Sequence, residues 1–246
     1  MTIKERKTIR KYKAVDVEEN LIHGLLATAS RAATMGNMQL YSVVETRSKE
    51  GKEALAPLHF NQPMVTGAPV VLTFIADFHR FTRWCDLSSA DAGYDNFLSF
   101  TNAMTDALLF CQNFCTLAEE AGLGTCFLGT TVYNPSGIIE ALKLPRLTFP
   151  VATITVGYPD ENPDQPDRLD ISDIIHSETY RALTDDEVRK AFANKESLPE
   201  NKHFVEINNK QNLAQVFTDC RYTRKDNEAM SDGMLAALRK QGFLNK

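Results

Sequence analysis

Residues 95–120, DNFLSFTNAMTDALLFCQNFCTLAEE, decide the architecture of this chain. Phe97, Phe100, Met104, Leu108, Phe110, Phe114 and Leu117 fall so that a helix of 3.6 residues per turn is apolar nearly all round. Such a helix is wrapped in protein, at the centre of a domain or in a subunit interface. Gly122 is expected to stop it as a C-cap. Within it, Cys111 and Cys115 read as a buried i, i+4 pair rather than a redox couple.

Strands flank this helix in the sequence. Residues 41–45 and 69–76 (PVVLTFIA) read as strands, the second apolar enough to be buried on both faces. Residues 125–129 and 151–156 read as two more. Asp16-Val17-Glu18-Glu19 has the spacing of a capping box opening a helix through Leu21, Ile22, Leu25, Leu26 and Ala29. Asn134-Pro135 reads as an N-cap and first-turn proline for a helix reaching Leu142. Residues 160–173 carry six acids and read as a long surface loop. From Arg181 the chain turns polar, with helical stretches at 185–194 and 228–241. These elements predict an α/β or α+β sandwich around one sheet, with residues 1–180 as the core and 181–246 as an extension. A covered helix together with a loose extension points to an intertwined dimer.

The 246 residues suffice for a large core, and 43% hydrophobic with 24% charged residues is ordinary for a globular protein. A net charge of −5 argues against nucleic-acid binding, which needs a basic face. No apolar run approaches the roughly 20 residues of a membrane span, and residues 1–13 lack the apolar stretch of a signal peptide. Five unclustered cysteines suit a reducing cytoplasm.

The chemistry-bearing residues are sparse. There is no phosphate-cradling glycine loop, no G-x-S-x-G, no H-E-x-x-H and no C-x-x-C, and the five histidines have no partner at metal-ligand spacing. What stands out is Arg6-Lys7-Thr8-Ile9-Arg10, three cations and a hydroxyl in five residues, and a lone Arg168 within the acidic loop. Guanidinium groups grip phosphate bidentately and a hydroxyl adds a donor. A phosphate grip without nucleophile, acid–base cluster or metal set implies that a bound cofactor carries any catalysis.

Four segments in order give a resemblance: RKTIRKY at residues 6–12, ATMGNMQLYS at 33–42, GLGTCFLG at 122–129 and VGYPDENPDQPDRL at 156–169. Over essentially its whole length the chain resembles the FMN-dependent nitroreductase family. More narrowly it is similar to the branch of the oxygen-insensitive NADPH nitroreductase and flavin reductase P. The resemblance implies an α+β, three-layer fold with a mainly antiparallel central sheet, built as an intertwined homodimer with FMN at the interface. It implies ping-pong hydride transfer from NADPH or NADH through flavin N5 to a small-molecule acceptor: a nitroaromatic, a quinone or a flavin. A flavin-binding or interaction protein without turnover is the alternative on the same fold.

Residue by residue, the resemblance puts Arg6, Lys7, Thr8 and Arg10 on the FMN phosphate, with Arg168 as its last contact. Met35, Gly36, Asn37 and Gln39 match the turn running along the isoalloxazine, and Gln62 the pyrimidine edge. Phe127, Leu128, Gly129 and Thr130 match the segment over the flavin face, Thr130 standing where the branch usually has a second glycine. Where the branch tends to show Lys-Pro-Arg, this chain has Pro166-Asp167-Arg168, so an acid replaces a base beside the arginine. Arg221, Arg224 and Lys225 form a second basic cluster, in the extension where the branch binds the NADPH 2′-phosphate.

Overall fold

The computed structural model describes residues 3–244; Met1, Thr2, Asn245 and Lys246, the outermost ends of the expected core and extension, lie outside it. The first elements are α1 (Glu19–Ala29), β1 (Tyr41–Thr46), α2 (Lys49–Leu55), α3 (Pro63–Gly67), β2 (Val70–Asp77), α4 (His79–Leu87) and α5 (Phe97–Glu120). Then come β3 (Gly124–Leu128), α6 (Pro135–Ala141), β4 (Thr148–Gly157), α7 (Asp185–Ser197), α8 (Pro199–Ile207), α9 (Leu213–Val216) and α10 (Arg224–Gln241). The chain divides into two compact units, residues 3–164 with 230–244, and residues 165–229.

The first unit is built on one four-stranded sheet in the order β1-β2-β4-β3, with every neighbouring pair antiparallel. β2 and β4 hold the middle, and every residue in both is buried. Their near-continuous apolar runs are what a strand covered on both faces requires. Alternate residues serve the two faces. Val70, Leu72, Phe74 and Ala76 of β2 join Ile22 of α1 and Phe110 and Phe114 of α5 in the main core. Val71 instead joins Leu55 of α2, Val65 of α3 and Leu128 of β3 in a smaller cluster on the other face. The result is the expected α+β arrangement in three layers.

α5 is the spine of this unit, and one chain covers only half of it. Phe100, Ala103, Ala107, Phe110, Cys111, Phe114, Cys115 and Ala118 are buried, whereas Leu98 and Leu109 on the other side are 69% and 45% exposed. Gly122, at φ +85°, ends the helix as expected. The amide of Leu123 closes onto Ala118 O and that of Gly122 onto Glu119 O, the paired bonds of a left-handed C-terminal cap. Phe243 returns to this core, fully buried with its ring 5.5 Å from that of Phe100.

Two helix starts differ from the sequence reading. α1 begins at Glu19 after an N-cap at Glu18 that receives no side-chain bond, and the Asp16 carboxylate bonds the neighbouring Val17 amide instead. The Asp16–Glu19 capping box therefore does not form, because an acid before a helix can satisfy a nearer amide. α6 does start at Pro135, but the Asn134 side chain turns away to Leu58 O at 3.4 Å. No helix among the described residues is long and apolar enough to cross a membrane.

Candidate functional site

The cationic N-terminal segment is pinned along β3 and β4. The Ile9 amide donates to Thr125 O at 3.0 Å, and the buried Ile9 side chain packs on Gly124, where any Cβ would lie 2.7 Å from it. The Tyr12 hydroxyl lies 2.7 Å from both Ile9 O and Thr155 Oγ1, and burial pushes its ionisation well up. These contacts fix a run of backbone whose Arg10 stays exposed and whose Arg6, Lys7 and Thr8 are half-buried. Arg6 Nε pairs at 3.4 Å with the buried Glu119 near the end of α5. Lys7 Nζ donates to Asn162 Oδ1 at 2.8 Å, and Glu161 accepts the backbone amides of Arg10 and Lys11. Burial raises the Cys126 thiol on β3, while the charges of Arg10 and Arg6 pull it back down. The segment that carries both guanidiniums runs beside β3.

At the end of β3, Leu128 is buried, Phe127 is 46% exposed and Gly129 is exposed. Thr130 Oγ1 lies 2.8 Å from His59 Nδ1 and 3.4 Å from Gln62 Nε2, so the structure brings Gln62 to this segment. His59 is fully buried and its Nε2 has no hydrogen-bond partner. Burial holds this imidazole neutral by pushing its pKa down to about 4.

The Met35–Gln39 turn is built separately. Gly36, Asn37 and Gln39 take φ of +54°, +56° and +55°, and Met35, Gly36, Asn37 and Gln39 are all exposed. The turn hangs from Asp106 of α5, which accepts the amides of Met35 (2.9 Å) and Leu40 (3.2 Å) and is 1% exposed. Asp106 and Glu119 are thirteen residues apart on α5. At about 1.5 Å per residue, the anchors of the turn and of Arg6 lie about 20 Å apart along the helix.

Arg168, Arg221, Arg224 and Lys225 belong to the second unit. Arg168 Nη1 donates to Asp167 O at 2.8 Å. The acid beside it is neutralised, since Lys195 Nζ lies 2.9 Å from the Asp167 carboxylate. Arg221 stacks its guanidinium 4.2 Å above the Phe204 ring. Arg224 reaches Glu228 at 3.6 Å with both side chains exposed. Asp106, Glu119, His59 and Glu161 escape the sequence reading. For the first there was a signal: Asp106 is the only charge between residues 96 and 118.

The chain matches the family model described as "Nitroreductase family" over residues 3–158, and it belongs to that family. A protein of solved structure from Bacteroides fragilis NCTC 9343, provisionally described as an oxidoreductase, is 59% identical to it. That structure superimposes with a TM-score of 0.97, covering 99% of both chains. An FMN reductase [NAD(P)H] from Bacillus subtilis (strain 168) is 29% identical over 76% of this chain and 75% of its own. An oxygen-insensitive NADPH nitroreductase from Salmonella typhimurium (strain LT2) is 29% identical over 72% of each.

Proposed function

We propose that this nitroreductase-family member is an FMN-dependent NAD(P)H oxidoreductase, working as a homodimer that passes electrons to a nitroaromatic, a quinone or a flavin. The observation that carries the reading is the Arg6–Arg10 segment laid along β3, where Phe127 and the following Gly129 are exposed. The donor chemistry fits FMN. Arg6, Lys7, Thr8 and Arg10 hold the phosphate. The Phe127–Thr130 segment and Gln62 meet the ring. Bound flavin supplies hydride transfer from nicotinamide to acceptor, while the protein fixes the geometry in which donor and acceptor alternate. The names of the relatives support the same activity.

The spacing supports the dimer. The Met35–Gln39 turn and the Arg6–Arg10 segment are tied about 20 Å apart along one helix, which fits a site that takes its turn from the partner subunit. The side of α5 that bears Leu98, Thr101, Thr105, Leu109 and Gln112 carries no charge before Glu120 at its end and supplies the contact. Residues 181–246 are the extension that completes this assembly. In the second unit, Arg221, Arg224 and Lys225 favour NADPH over NADH.

Purified protein reconstituted with FMN should show flavin absorbance that bleaches on anaerobic NADPH addition and returns with an acceptor. Bound flavin that does not bleach would favour the binding-module alternative. Leu109→Lys should give a monomer in sedimentation and release FMN, because a buried unpaired charge costs several kcal/mol. A flavin-loaded wild-type monomer at micromolar concentration would overturn the dimer.

A further inference from the structure

The Gln39–Leu40 peptide group is held at both ends by charge. Its carbonyl accepts from Arg80 Nη2 at 2.7 Å, and its amide donates to Asp106 Oδ2 at 3.2 Å. Arg80, in the first turn of α4, is itself aimed. Its Nη2 also donates to Tyr41 O (3.0 Å), its Nη1 to Ser42 Oγ (3.0 Å), and it pairs with Asp77 at 3.5 Å. The second Asp106 oxygen takes the Met35 amide, so one buried carboxylate spans the mouth of the turn. Among the described residues Asp106 forms no ion pair within 4.0 Å; its hydrogen bonds are these two backbone amides.

This arrangement opposes one specific motion. Gln39 and Asn37 both sit at positive φ, a region that non-glycine residues leave readily. Relaxing Gln39 to negative φ turns the chain about its N–Cα bond and would carry the Gln39 carbonyl off Arg80 and the Leu40 amide off Asp106, so both charges resist it. Hydrogen bonds to charged groups are the stronger kind, and they act most strongly where water is excluded, as at Asp106.

We propose that Asp106 and Arg80 are positioning residues that lock the Gln39–Leu40 peptide, holding the Met35–Gln39 turn in the form that receives the flavin ring. The inference rests on the functional reading above for its ligand but not for its clamp. Asp106→Asn is nearly isosteric; the amide keeps one acceptor and sets an N–H against the other backbone amide. Arg80→Met keeps the stem and removes the guanidinium from a side chain that is 57% exposed, so folding is preserved.

The test has two readouts on full-length protein. Without FMN, amide hydrogen exchange at Leu40 should quicken roughly tenfold in Asp106→Asn and less in Arg80→Met, with β2 and β4 unchanged, as expected from losing a bond to a charged group. With FMN titrated into refolded apoprotein, Kd should rise roughly tenfold in Asp106→Asn, and the visible circular dichroism of the bound flavin should change. Arg80→Lys, which keeps a cation at the carbonyl, should restore part of both. Unchanged Leu40 exchange in both variants overturns the clamp. Faster exchange with unaltered Kd and flavin dichroism overturns its role at the ring. Wild-type protein that takes up no FMN overturns the functional reading instead, and leaves the exchange result to judge the clamp alone. If Asp106→Asn does not fold, Arg80→Met decides.

Discussion

The two compact units of this chain handle charge in opposite ways. In residues 3–164 with 230–244, Asp106 and Glu119 are buried charges and His59 a buried titratable ring, each committed to a named partner. In residues 165–229 only Leu213 and Val216 are buried. Arg181–Glu187 and Arg224–Glu228 there lie at the surface. A buried charge without its partner costs several kcal/mol, whereas an exposed pair contributes between nothing and about 1 kcal/mol. Polar residues of the first unit therefore set geometry, and those of the second lie in a field that solvent screens. A segment with two buried residues also has little core to hold its helices by itself. Its Ile171, Ile174, Ile175, Tyr180 and Phe192 are exposed apolar surface.

The largest expected effect is in the first unit. His59 is neutral in the folded protein down to about pH 4, while the unfolded value is near 6.5. Between these values the unfolded chain binds more protons, so stability is fully present above pH 6.5 and falls as pH drops toward 4. At 1.36 kcal/mol per pKa unit, the loss is about 3 kcal/mol. Denaturant unfolding of wild type and His59→Gln across pH 7 to 4 measures it. A slope that survives the substitution would remove His59 as its source and break the contrast.

Next come the phosphate-side residues, where the contrast can be sharpened within one unit. Arg10→Ala removes an exposed guanidinium and should weaken FMN binding by about 1.5–3 kcal/mol without lowering the melting temperature. Glu119→Gln should weaken it less, about threefold, because Arg6 loses its orienting charge but keeps its own. Burial raises the Glu119 pKa against the opposing pull of the Thr125 hydroxyl and Arg6. The folded state holds that proton longer, so the contribution of Glu119 to stability declines as pH rises from the ordinary carboxyl range through the raised value, opposite in sign to that of His59. Glu119→Gln should flatten that decline. Titration of apoprotein with FMN and melting curves from pH 4 to 7 test both residues. Wild-type affinity in Arg10→Ala would take it out of the site.

The smallest effect belongs to the second unit. Replacing Arg221, Arg224 and Lys225 together with alanine should raise KM for NADPH several-fold more than KM for NADH, with kcat nearly unchanged. The wild-type preference should fade with added salt, since exposed charges are screened over a Debye length of about 10 Å at 0.1 M. Equal changes with both donors would return the cluster to an ordinary solvated surface. Arg221 should account for most of any effect, because its stacking on Phe204 leaves less freedom to lose on binding.

The segments of the candidate site could be picked out in advance because each is local. The RKTIRKY run, the GNMQ turn and the GLGTCFLG strand each carry their message in neighbouring residues. The residues that hold those segments were hidden for the opposite reason. Glu119 and Arg6 are far apart in the chain and meet only when α5 lies along the sheet. The capping box at Asp16 failed on the same ground, since several local partners compete for one side chain and spacing does not choose among them.

By itself, then, the sequence determined the four strands, the helices α1, α5, α6, α7 and α10 and the family, but not α2, α3, α4, α8 or α9. Hydrophobic periodicity and short motifs act over a few residues and show best in long or strongly patterned segments. Only the tertiary structure decided which buried polar groups answer which backbone. It placed Asp106 under the Met35–Leu40 turn, gave Arg6 to Glu119 and left His59 neutral beside Thr130. The physical reason is that desolvation and hydrogen-bond pairing depend on what packs around a group in space, and no stretch of chain encodes its own surroundings.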